Sequence, residues 1–308
     1  MTVLAVDVGG TTIKGAVIGP DGTIRHSLSA PSQADGDPVA AVRSLCTQLH
    51  ADGVRRGDAP AAIGVVTPGL VDEDAGVVKY AANLNFRDVP LRALIHDDLG
   101  LPVAIGHDAR AAGVAEAVAG AARGLDDFLL LPLGTGIAAA IVVRGHPVAG
   151  ASRAAGEVGH MPVHPGGEQC SCGQRGCLEV YASAGGLARR YARLGGPSAL
   201  DSRAIAAAVG TDPVARQVWD DATLALGTAL ATLTLTLDPA RIVLGGGLAD
   251  AGDMFFDPVR AALRDALAWR SPPPVVRSAF GARAALVGAA VLARRVAGRP
   301  VPDGWGAP

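Results

Sequence analysis

The sequence predicts a two-lobed α/β protein in which one structural unit occurs twice. Residues 3–8 and 128–133 are apolar stretches of strand length, and each runs into a turn of glycine and threonine followed by a second apolar strand. Segments with helical periodicity separate the later strands. The length of 308 residues accommodates two lobes at roughly 150 residues per domain. No low-complexity linker divides the chain, so we expect the lobes to be tightly joined.

Composition and charge exclude several classes of protein. With 49% hydrophobic and 18% charged residues, the chain is not intrinsically disordered. A formal net charge of −2 argues against a general nucleic-acid binder, which carries a basic face. No apolar run approaches the ~20 residues of a membrane helix, and the N-terminus lacks the basic start of a secretory signal. We therefore expect a cytoplasmic protein with no nucleic-acid and no membrane partner.

The first lobe is predicted to begin with a hairpin. A turn at residues 9–12 follows the first strand, residues 15–19 form the second strand, and Asp21-Gly22 is a hairpin turn. Rossmann and Walker loops require a helix directly after the glycine loop, so the hairpin argues against both. Residues 38–56 carry apolar positions at helical spacing and predict an amphipathic helix.

Four further elements follow from local pattern. We predict an alanine-rich helix at 109–122, a long helix at 213–237, a strand at 241–244 and a terminal helix at 284–297. The tail from residue 299 to 308 is rich in proline and glycine, and we expect it to be loose.

A cluster of cysteines is the strongest local indication of a ligand. Cys170, Cys172 and Cys177 fall within eight residues that include two glycines, and His160 lies upstream. In a reducing cytoplasm, clustered thiols indicate a metal more often than a disulfide. Three cysteines and one histidine form a closed tetrahedral zinc site, which leaves no position for a substrate and is therefore structural. His164 is the alternative fourth ligand, and a disulfide with one spare thiol is the alternative to metal.

Three glycine loops are candidates for nucleotide binding. The first phosphate loop, residues 9–12, offers backbone N–H groups, hydroxyls and a nearby ammonium to phosphate oxygens, and Asp7 can hold Mg²⁺ through water. The second phosphate loop, residues 134–136, has the same character. A third glycine loop at 245–247 follows a strand and lets a base or ribose approach the backbone. The alternative is that these glycine loops are ordinary tight turns that bind no ligand. The residues concerned are Asp7, Gly9, Gly10, Thr11, Thr12, Lys14, Gly134, Thr135, Gly136, Gly245 and Gly246.

Asp108 permits two interpretations. It directly precedes a predicted helix, so it can act as the helix N-cap. It also follows a strand, and ligand sites of α/β proteins lie at the carboxyl ends of strands. A hydroxyl group that attacks phosphate needs a positioned acceptor for its proton. Both roles can hold at once.

Polar residues around the cysteines suit the hydroxyl groups of a sugar. Glu157 and His160 have i,i+3 spacing and face one way on a helical turn. Glu179 lies two residues beyond Cys177. A metal ion bound by the cysteines would therefore hold Glu157, His160 and Glu179 close together. The alternative is a pair of surface glutamates. Asn83 adds a possible amide contact.

Taken together, these residues resemble the ROK family of bacterial sugar kinases and related repressors. The most specific stretches are residues 155–161 (AGEVGHM) and 170–179 (CSCGQRGCLE). The first phosphate loop, residues 68–72 (PGLVD), residues 83–91 (NLNFRDVPL) and the other two glycine loops support the match. The resemblance runs from Asp7 to residue 290 and therefore covers nearly the whole chain.

The resemblance implies an actin/hexokinase-like fold, a duplicated ribonuclease H-like α/β architecture with a cleft between its lobes. The small lobe would comprise residues 1–107 with the returning helix 284–298. The large lobe, residues 108–283, would carry the zinc site of the clustered cysteines and the oligomer interface. A homodimer or homotetramer is implied.

The resemblance also implies the chemistry. Asp108 would accept the proton of the sugar 6-hydroxyl while the γ-phosphoryl group moves from ATP, helped by Mg²⁺, and zinc would be structural. Glucose is the most common substrate in the family. N-acetylmannosamine, mannose or fructose, or a sugar sensor without catalysis, are the alternatives. The implied sugar-binding residues are Asn83, His107, Asp108, Glu157, His160 and Glu179, and the implied zinc ligands are His160, Cys170, Cys172 and Cys177.

Four residues, in three places, depart from the family pattern. His107 stands where the family usually has asparagine, and a neutral imidazole donates and accepts through two separate nitrogens. Ala138 and Ala140 replace glycines after the second phosphate loop. Arg153 stands where small residues are common, and it favours a charged or larger substrate.

Overall fold

The structure is a computed structural model that describes residues 1–33, 36–302 and 305–306. The chain forms two compact units, each built around its own five-stranded sheet. The first unit extends through Gly124, beyond the boundary expected at residue 107, and also includes a segment from the middle of the chain. The first unit comprises Met1–Gly124, Pro147–Ala155 and Arg283–Pro308, and the second comprises Leu125–His146 and Gly156–Ala282.

The first unit contains a mixed sheet and a small antiparallel sheet. Its strands are β1 (Val3–Val8), β2 (Thr12–Ile18), β3 (Ile24–Pro31), β4 (Ile63–Thr67), β5 (Leu70–Asp72), β6 (Val77–Ala81), β7 (Phe86–Val89) and β8 (Val103–His107), and its first helices are α1 (Pro38–Arg55), α2 (Leu91–Leu99) and α3 (Asp108–Ala119). The mixed sheet has the order β3-β2-β1-β4-β8, and β5, β6 and β7 form the second sheet. As predicted, the first phosphate loop lies inside the β1–β2 hairpin.

The second unit repeats the strand order of the first. Its strands are β9 (Phe128–Pro132), β10 (Ala140–Val143), β11 (His146–Pro147), β12 (Arg241–Gly245) and β13 (Val275–Arg277), and its helices are α4 (Leu178–Ala182), α5 (Ala184–Arg193), α6 (Ser202–Ala208), α7 (Pro213–Leu237) and α8 (Asp253–Asp265). Its sheet has the order β11-β10-β9-β12-β13. In both sheets the first strand pairs antiparallel with the strand after its glycine loop and parallel with the next. The predicted duplication is therefore confirmed.

The apolar strand predicted after the second phosphate loop begins only at Ala140. Ile137 instead forms an isolated bridge with Leu133, and the N–H of Ala139 donates to the carbonyl of Gly156 at 2.7 Å. Because these partners lie outside the ladder between β9 and β10, the residues after the second phosphate loop do not join the sheet.

The central strands of the first sheet are apolar on both faces because helices cover both. Along β1, Leu4 and Val6 belong to the core beneath α1, while Val3 and Ala5 belong to the core on the opposite face. The opposite core is completed by the last helix, α9 (Ala284–Val296), which contacts β1, β4, β8 and α3. A side chain at Gly64 of β4 would collide with the α9 backbone, so this glycine permits the close approach.

Capping residues explain why the long helix α7 matches its predicted bounds. Asp212 accepts hydrogen bonds from the N–H groups of Val214 and Ala215, and Pro213 occupies the first helical position. Asp238 ends the helix in the left-handed conformation. In the described part of the chain, no helix combines the length and the apolar character that a bilayer crossing requires.

The tail after α9 is anchored, which corrects the expectation of a loose end. Trp305 is 3% exposed, and the guanidinium of Arg294 lies 5.3 Å from the centre of its ring. Arg294 also donates to the carbonyls of Pro300 and Met1. Burial of one aromatic ring outweighs the flexibility suggested by proline and glycine. Residues 303, 304, 307 and 308 of the predicted loose tail lie outside the described residues.

Candidate functional site

The predicted site residues divide between the two units. The first unit contains Asp7, the first phosphate loop, Lys14, Asn83, His107 and Asp108. The second contains Glu157, Glu179, the other two glycine loops and the candidate metal ligands.

The first phosphate loop presents backbone N–H groups without protein partners. Within the turn, the N–H of Gly9 donates to the carbonyl of Thr12 at 3.0 Å. The carbonyls of Gly9 and Thr11 accept hydrogen bonds from Ser32. The N–H groups of Gly10 and Thr11 donate to no acceptor among residues 1–33, 36–302 and 305–306. The loop thus offers adjacent donors to an anion.

Asp7 and Lys14 face each other across the hairpin, because they are paired residues of β1 and β2. Burial raises the pKa of the Asp7 carboxyl to about 6, the negative charge of Asp108 adds to this rise, and Lys14 opposes it. Asp7 is thus a partly buried carboxylate close to a second carboxylate, an arrangement that a divalent cation stabilises.

Asn83 packs directly against the first phosphate loop. It lies in a short 3₁₀ turn between β6 and β7. A Cβ atom placed on Gly10 would lie 3.1 Å from the Cβ of Asn83, which is tighter than an ordinary contact. Glycine at position 10 therefore allows the amide side chain to lie beside the loop.

The N-cap of helix α3 is His107, which corrects the cap interpretation of Asp108. The His107 Nδ1 accepts a long hydrogen bond of 3.4 Å from the N–H of Arg110. Asp108 is the first residue of the helix, and its Oδ1 accepts from the adjacent N–H of Ala109 at 2.6 Å. Its side chain is 33% exposed and lies 3.3 Å from the His107 ring. The Asp108 carboxylate therefore sits at the end of β8 and remains accessible.

Glu73 supports the start of α3, a role that sequence reasoning missed. One of its carboxylate oxygens, Oε1, accepts from the backbone N–H of His107 at 3.1 Å and from Nε of Arg110 at 3.0 Å. The Arg110 side chain is 3% exposed. Because Glu73 lies just after β5, far from α3 along the chain, no local pattern indicates this pairing.

Arg153 has ion-pair partners in the first unit, and its expected preference for a charged or larger substrate stays a prediction. Its Nη2 lies 2.7 Å from Oδ2 of Asp74 and 3.5 Å from Oδ1 of Asp72. The backbone carbonyl of Arg153 accepts a long hydrogen bond of 3.5 Å from Nη1 of Arg110. The guanidinium thus ties the 147–155 segment to the turn after β5.

The second phosphate loop repeats the arrangement of the first. The N–H of Gly134 donates to the carbonyl of Gly136 at 3.1 Å, and the Gly134 carbonyl accepts from Ala184 at 2.8 Å. Among the residues that the structure describes, the N–H groups of Thr135 and Gly136 have no protein acceptor. Of the two alanines that replace family glycines, Ala140 is buried in β10.

Glu179 is hydrogen-bonded to the residue that directly follows this second loop. Its Oε2 accepts from the N–H of Ile137 at 3.0 Å, and a Cβ atom on Gly136 would lie 2.7 Å from the same oxygen. Glu179 belongs to α4, which begins directly after Cys177. The helix that follows the cysteine segment therefore contacts the end of the phosphate loop.

A cavity of about 470 Å³ opens beside the third glycine loop. Gly246 has φ +84°, and a side chain there would collide with the carbonyl of Leu133. The cavity walls come from α6, α7 and the turn after the loop, and they include Trp219, Arg203 and Leu248. An aromatic ring, an aliphatic side chain and a guanidinium suit a flat heterocycle.

The four candidate metal ligands converge in the second unit. One ligand atom from each of His160, Cys170, Cys172 and Cys177 lies within 4.8 Å of all the others. The Sγ atoms of Cys172 and Cys177 are 3.8 Å apart, and His160 Nδ1 lies 3.8 Å from the Cys170 Sγ. In a tetrahedral site with Zn–S bonds of about 2.3 Å, two sulfurs lie about 3.8 Å apart. The donor set therefore fits zinc.

The chemistry of the thiols supports the same assignment. All four cysteines of the chain are free, which removes the disulfide alternative. Burial raises the pKa of the Cys177 thiol to about 12, and its contacts with Cys172 and Cys170 add to the rise. Packed thiols of this kind ionise together only when a cation compensates their charge.

His160, not His164, completes the cluster. His160 ends a short 3₁₀ turn, Val158–His160, that directly follows Glu157. The ring of His164 instead packs against Tyr181, with ring centres 4.5 Å apart. Nδ1 of His160 faces the cysteines, so Nε2 is the ring nitrogen outside the ligand set.

Comparison with known proteins places this geometry in context. The model of the ROK family matches residues 3–296. The chain is 35% identical over 278 residues to a glucokinase of Halalkalibacterium halodurans, covering 83% of each chain. It is 32% identical over 312 residues to a glucokinase of Streptomyces coelicolor, covering 94% of this chain and 97% of the relative.

Solved structures show the same architecture. A ROK family glucokinase from Streptomyces griseus, determined with glucose and AMPPNP, superposes with a TM-score of 0.83 at 32% identity, covering 96% of this chain and 100% of that one. The predicted α/β fold of the actin/hexokinase type is confirmed by this match.

Proposed function

This chain belongs to the ROK family, and we propose that it is an ATP-dependent glucokinase that transfers the γ-phosphoryl group of ATP to the 6-hydroxyl of the sugar. The family and the enzyme class expected from the sequence, an ATP:hexose 6-phosphotransferase, are confirmed by the relatives at 29–35% identity.

The observation that carries the proposal is the Asp108 carboxylate. It lies at the carboxyl end of β8, is one-third exposed, and belongs to the same unit as the first phosphate loop. A hydroxyl group becomes a better nucleophile toward phosphorus when a carboxylate accepts its proton as the P–O bond forms. Asp108 is the base in this proposal, and Glu73 and His107 hold the turn of backbone from which it projects.

The nucleotide is held by backbone donors. The adjacent N–H groups of Gly10 and Thr11, and those of Thr135 and Gly136, are available to phosphate oxygens. The cavity beside Gly247 would take the base. Mg²⁺ would neutralise the phosphate charge and would be held through Asp7, whose partly buried carboxylate a cation would stabilise.

The sugar is held by side chains that suit hydroxyl groups, since an amide and neutral imidazoles donate and accept and carboxylates accept. In this proposal the sugar hydroxyls are bound by the residues that the resemblance to the family implies, namely Asn83, His107, Glu157, His160 and Glu179. A neutral imidazole at position 107 still offers hydrogen bonding to a hydroxyl group, but with a different geometry from the amide usual in the family.

Zinc would be structural. With four protein ligands the metal has no open position, so it would hold the segment between His160 and Cys177 in place and take no part in the chemistry. The neighbouring Arg190 reinforces this segment, since it donates to Glu168 at 2.8 Å and to Asp221 at 2.7 Å.

We further propose a cytoplasmic homodimer or homotetramer. The outer face of α7 supports self-association, because Leu224 and Leu235 are more than half exposed. Between and beside them, the hydroxyls of Thr228, Thr232 and Thr236 donate to carbonyls of their own helix, so these polar groups already have partners.

ADP release from MgATP, measured with glucose, mannose, fructose, N-acetylglucosamine and N-acetylmannosamine in turn, tests the proposal. We expect turnover with glucose, and a loss of about 10²–10⁴-fold in Asp108→Asn with sugar binding retained. Asp97→Asn, at an exposed position of α2, is the matched control and should keep full activity. Turnover by Asp108→Asn near the control level would overturn the assignment of the base.

A further inference from the structure

Ser32 forms two hydrogen bonds to the first phosphate loop. It directly follows the end of β3 and is fully buried, with no exposed surface. Its Oγ donates to the carbonyl of Gly9 at 2.5 Å, and its backbone N–H donates to the carbonyl of Thr11 at 3.0 Å. Two carbonyls of a four-residue turn are thus held by one residue from a neighbouring strand.

These bonds separate the acceptors of the loop from its donors. The third carbonyl, that of Thr12, accepts from Gly9, so the carbonyls of Gly9, Thr11 and Thr12 all have partners inside the protein. The N–H groups of Gly10 and Thr11 donate to no acceptor within the described ranges. A carbonyl oxygen repels a phosphate oxygen, whereas an N–H group binds it. Three of the four loop carbonyls are thus held inside the protein, while the adjacent N–H groups of Gly10 and Thr11 are the donors that an anion would meet.

The pairing of β2 with β3 explains why residue 32 is the one that hydrogen-bonds to the carbonyls of the loop. Thr12 pairs with Pro31, so the next residue of the strand lies opposite Thr11. A serine at this position is small enough to be enclosed completely and still carries a hydroxyl donor. Alanine would leave the Gly9 carbonyl without its donor, and the loop could then rotate that carbonyl toward the phosphate site.

We propose that Ser32 is a positioning residue for nucleotide binding: by occupying the carbonyls of Gly9 and Thr11, it keeps the N–H groups of the first phosphate loop directed at the triphosphate. This inference rests on the proposed function, because it assumes that the loop binds the phosphates of ATP. It assigns Ser32 no contact with the nucleotide.

Calorimetric titration with the non-hydrolysable analogue MgAMPPNP, together with steady-state kinetics, tests this role. We expect Ser32→Ala to raise the Kd for MgAMPPNP and the KM for ATP about tenfold, the effect of losing about one hydrogen bond. The KM for glucose should not change. Ser32→Thr keeps the hydroxyl and should restore most of the affinity. Ser29→Ala, at an exposed serine of the same strand, is the matched control and should behave as wild type.

The outcomes separate this inference from the proposed function. If wild-type protein binds no MgAMPPNP, the proposed function fails. If wild type binds it and Ser32→Ala binds it equally well, the role of Ser32 is overturned. An equal loss of glucose and nucleotide affinity with a lowered Tm would show that Ser32 only stabilises the fold, and would also overturn it.

Discussion

Glu179 Oε2 accepts a hydrogen bond of 3.0 Å from the backbone N–H of Ile137. Glu179 stands two residues beyond Cys177, and Ile137 directly follows the second phosphate loop. The pair therefore connects the candidate zinc site to a loop that we propose binds ATP, within one structural unit. A residue implied to bind sugar thus also holds the nucleotide loop.

Gly136→Ala tests this connection. The new methyl group would lie 2.7 Å from Oε2 of Glu179 and would displace the carboxylate or the loop. We expect the KM for ATP to rise about tenfold, measured by initial rates at saturating glucose. Gly210→Ala is the control, because a methyl group there meets no atom within 4 Å. An unchanged KM for ATP in Gly136→Ala would show that the contact does not hold the loop.

Glu73→Ala should reduce catalysis without touching the reacting groups. The variant removes the acceptor of the His107 N–H and leaves the buried Arg110 without its carboxylate. We expect kcat to fall about tenfold and the free energy of unfolding to fall by about 1–3 kcal/mol, measured by urea titration. Glu73→Gln retains an acceptor oxygen and should recover part of kcat. Equal kcat in Glu73→Ala and wild type would exclude a positioning role.

The pH dependence of stability reports on Asp7. Its folded pKa of about 6 exceeds its unfolded value of 3.8, so the folded state holds the proton more tightly. Asp7 therefore lowers the free energy of unfolding progressively as pH rises from about 4 to 6, by about 3 kcal/mol in total.

Asp7→Asn removes this penalty. Relative to wild type, we expect the variant to gain stability between pH 4 and pH 8, as measured by urea unfolding without added metal, while phosphoryl transfer is lost. Titrating groups that do not interact with Asp7 contribute equally to both proteins and cancel in the comparison. A stability difference that stays constant between pH 4 and pH 8 would contradict the raised pKa.

Metal analysis tests the ligand set. We expect one zinc ion per chain by mass spectrometry, lost in His160→Ala and in Cys177→Ser and retained in His164→Ala, whose ring packs on Tyr181. Removal of zinc by a chelator should lower Tm, since structural zinc contributes on the order of 10 kcal/mol in small domains. Added Mg²⁺ should not restore it. Loss of zinc in His164→Ala with retention in His160→Ala would show that His164, and not His160, is the fourth ligand.

Features encoded by neighbouring residues were predictable from sequence. Helix α7 is bounded by Asp212-Pro213 and Asp238, and both ends were predicted correctly because caps act locally. The metal ligands were likewise visible, since three of the four lie within eight residues.

Features that depend on tertiary pairing were not predictable. Glu73 meets His107, Ser32 meets Gly9 and Glu179 meets Ile137 only because the fold brings separate strands and turns together. Each is a single ordinary residue with no local pattern. The cap of α3 was placed one residue late because aspartate is a strong N-cap, whereas the pairing of His107 with Thr67 in the sheet sets the start of the helix.

The most direct test of the central claim is identification of the product formed from glucose and MgATP. ³¹P NMR of the reaction should show glucose 6-phosphate and ADP in equal amounts with wild type and with Asp97→Asn. Asp108→Asn should form neither at a rate above about a hundredth of wild type. Formation of glucose 6-phosphate by Asp108→Asn at the wild-type rate, or ATP hydrolysis without any sugar phosphate in wild type, would contradict the account.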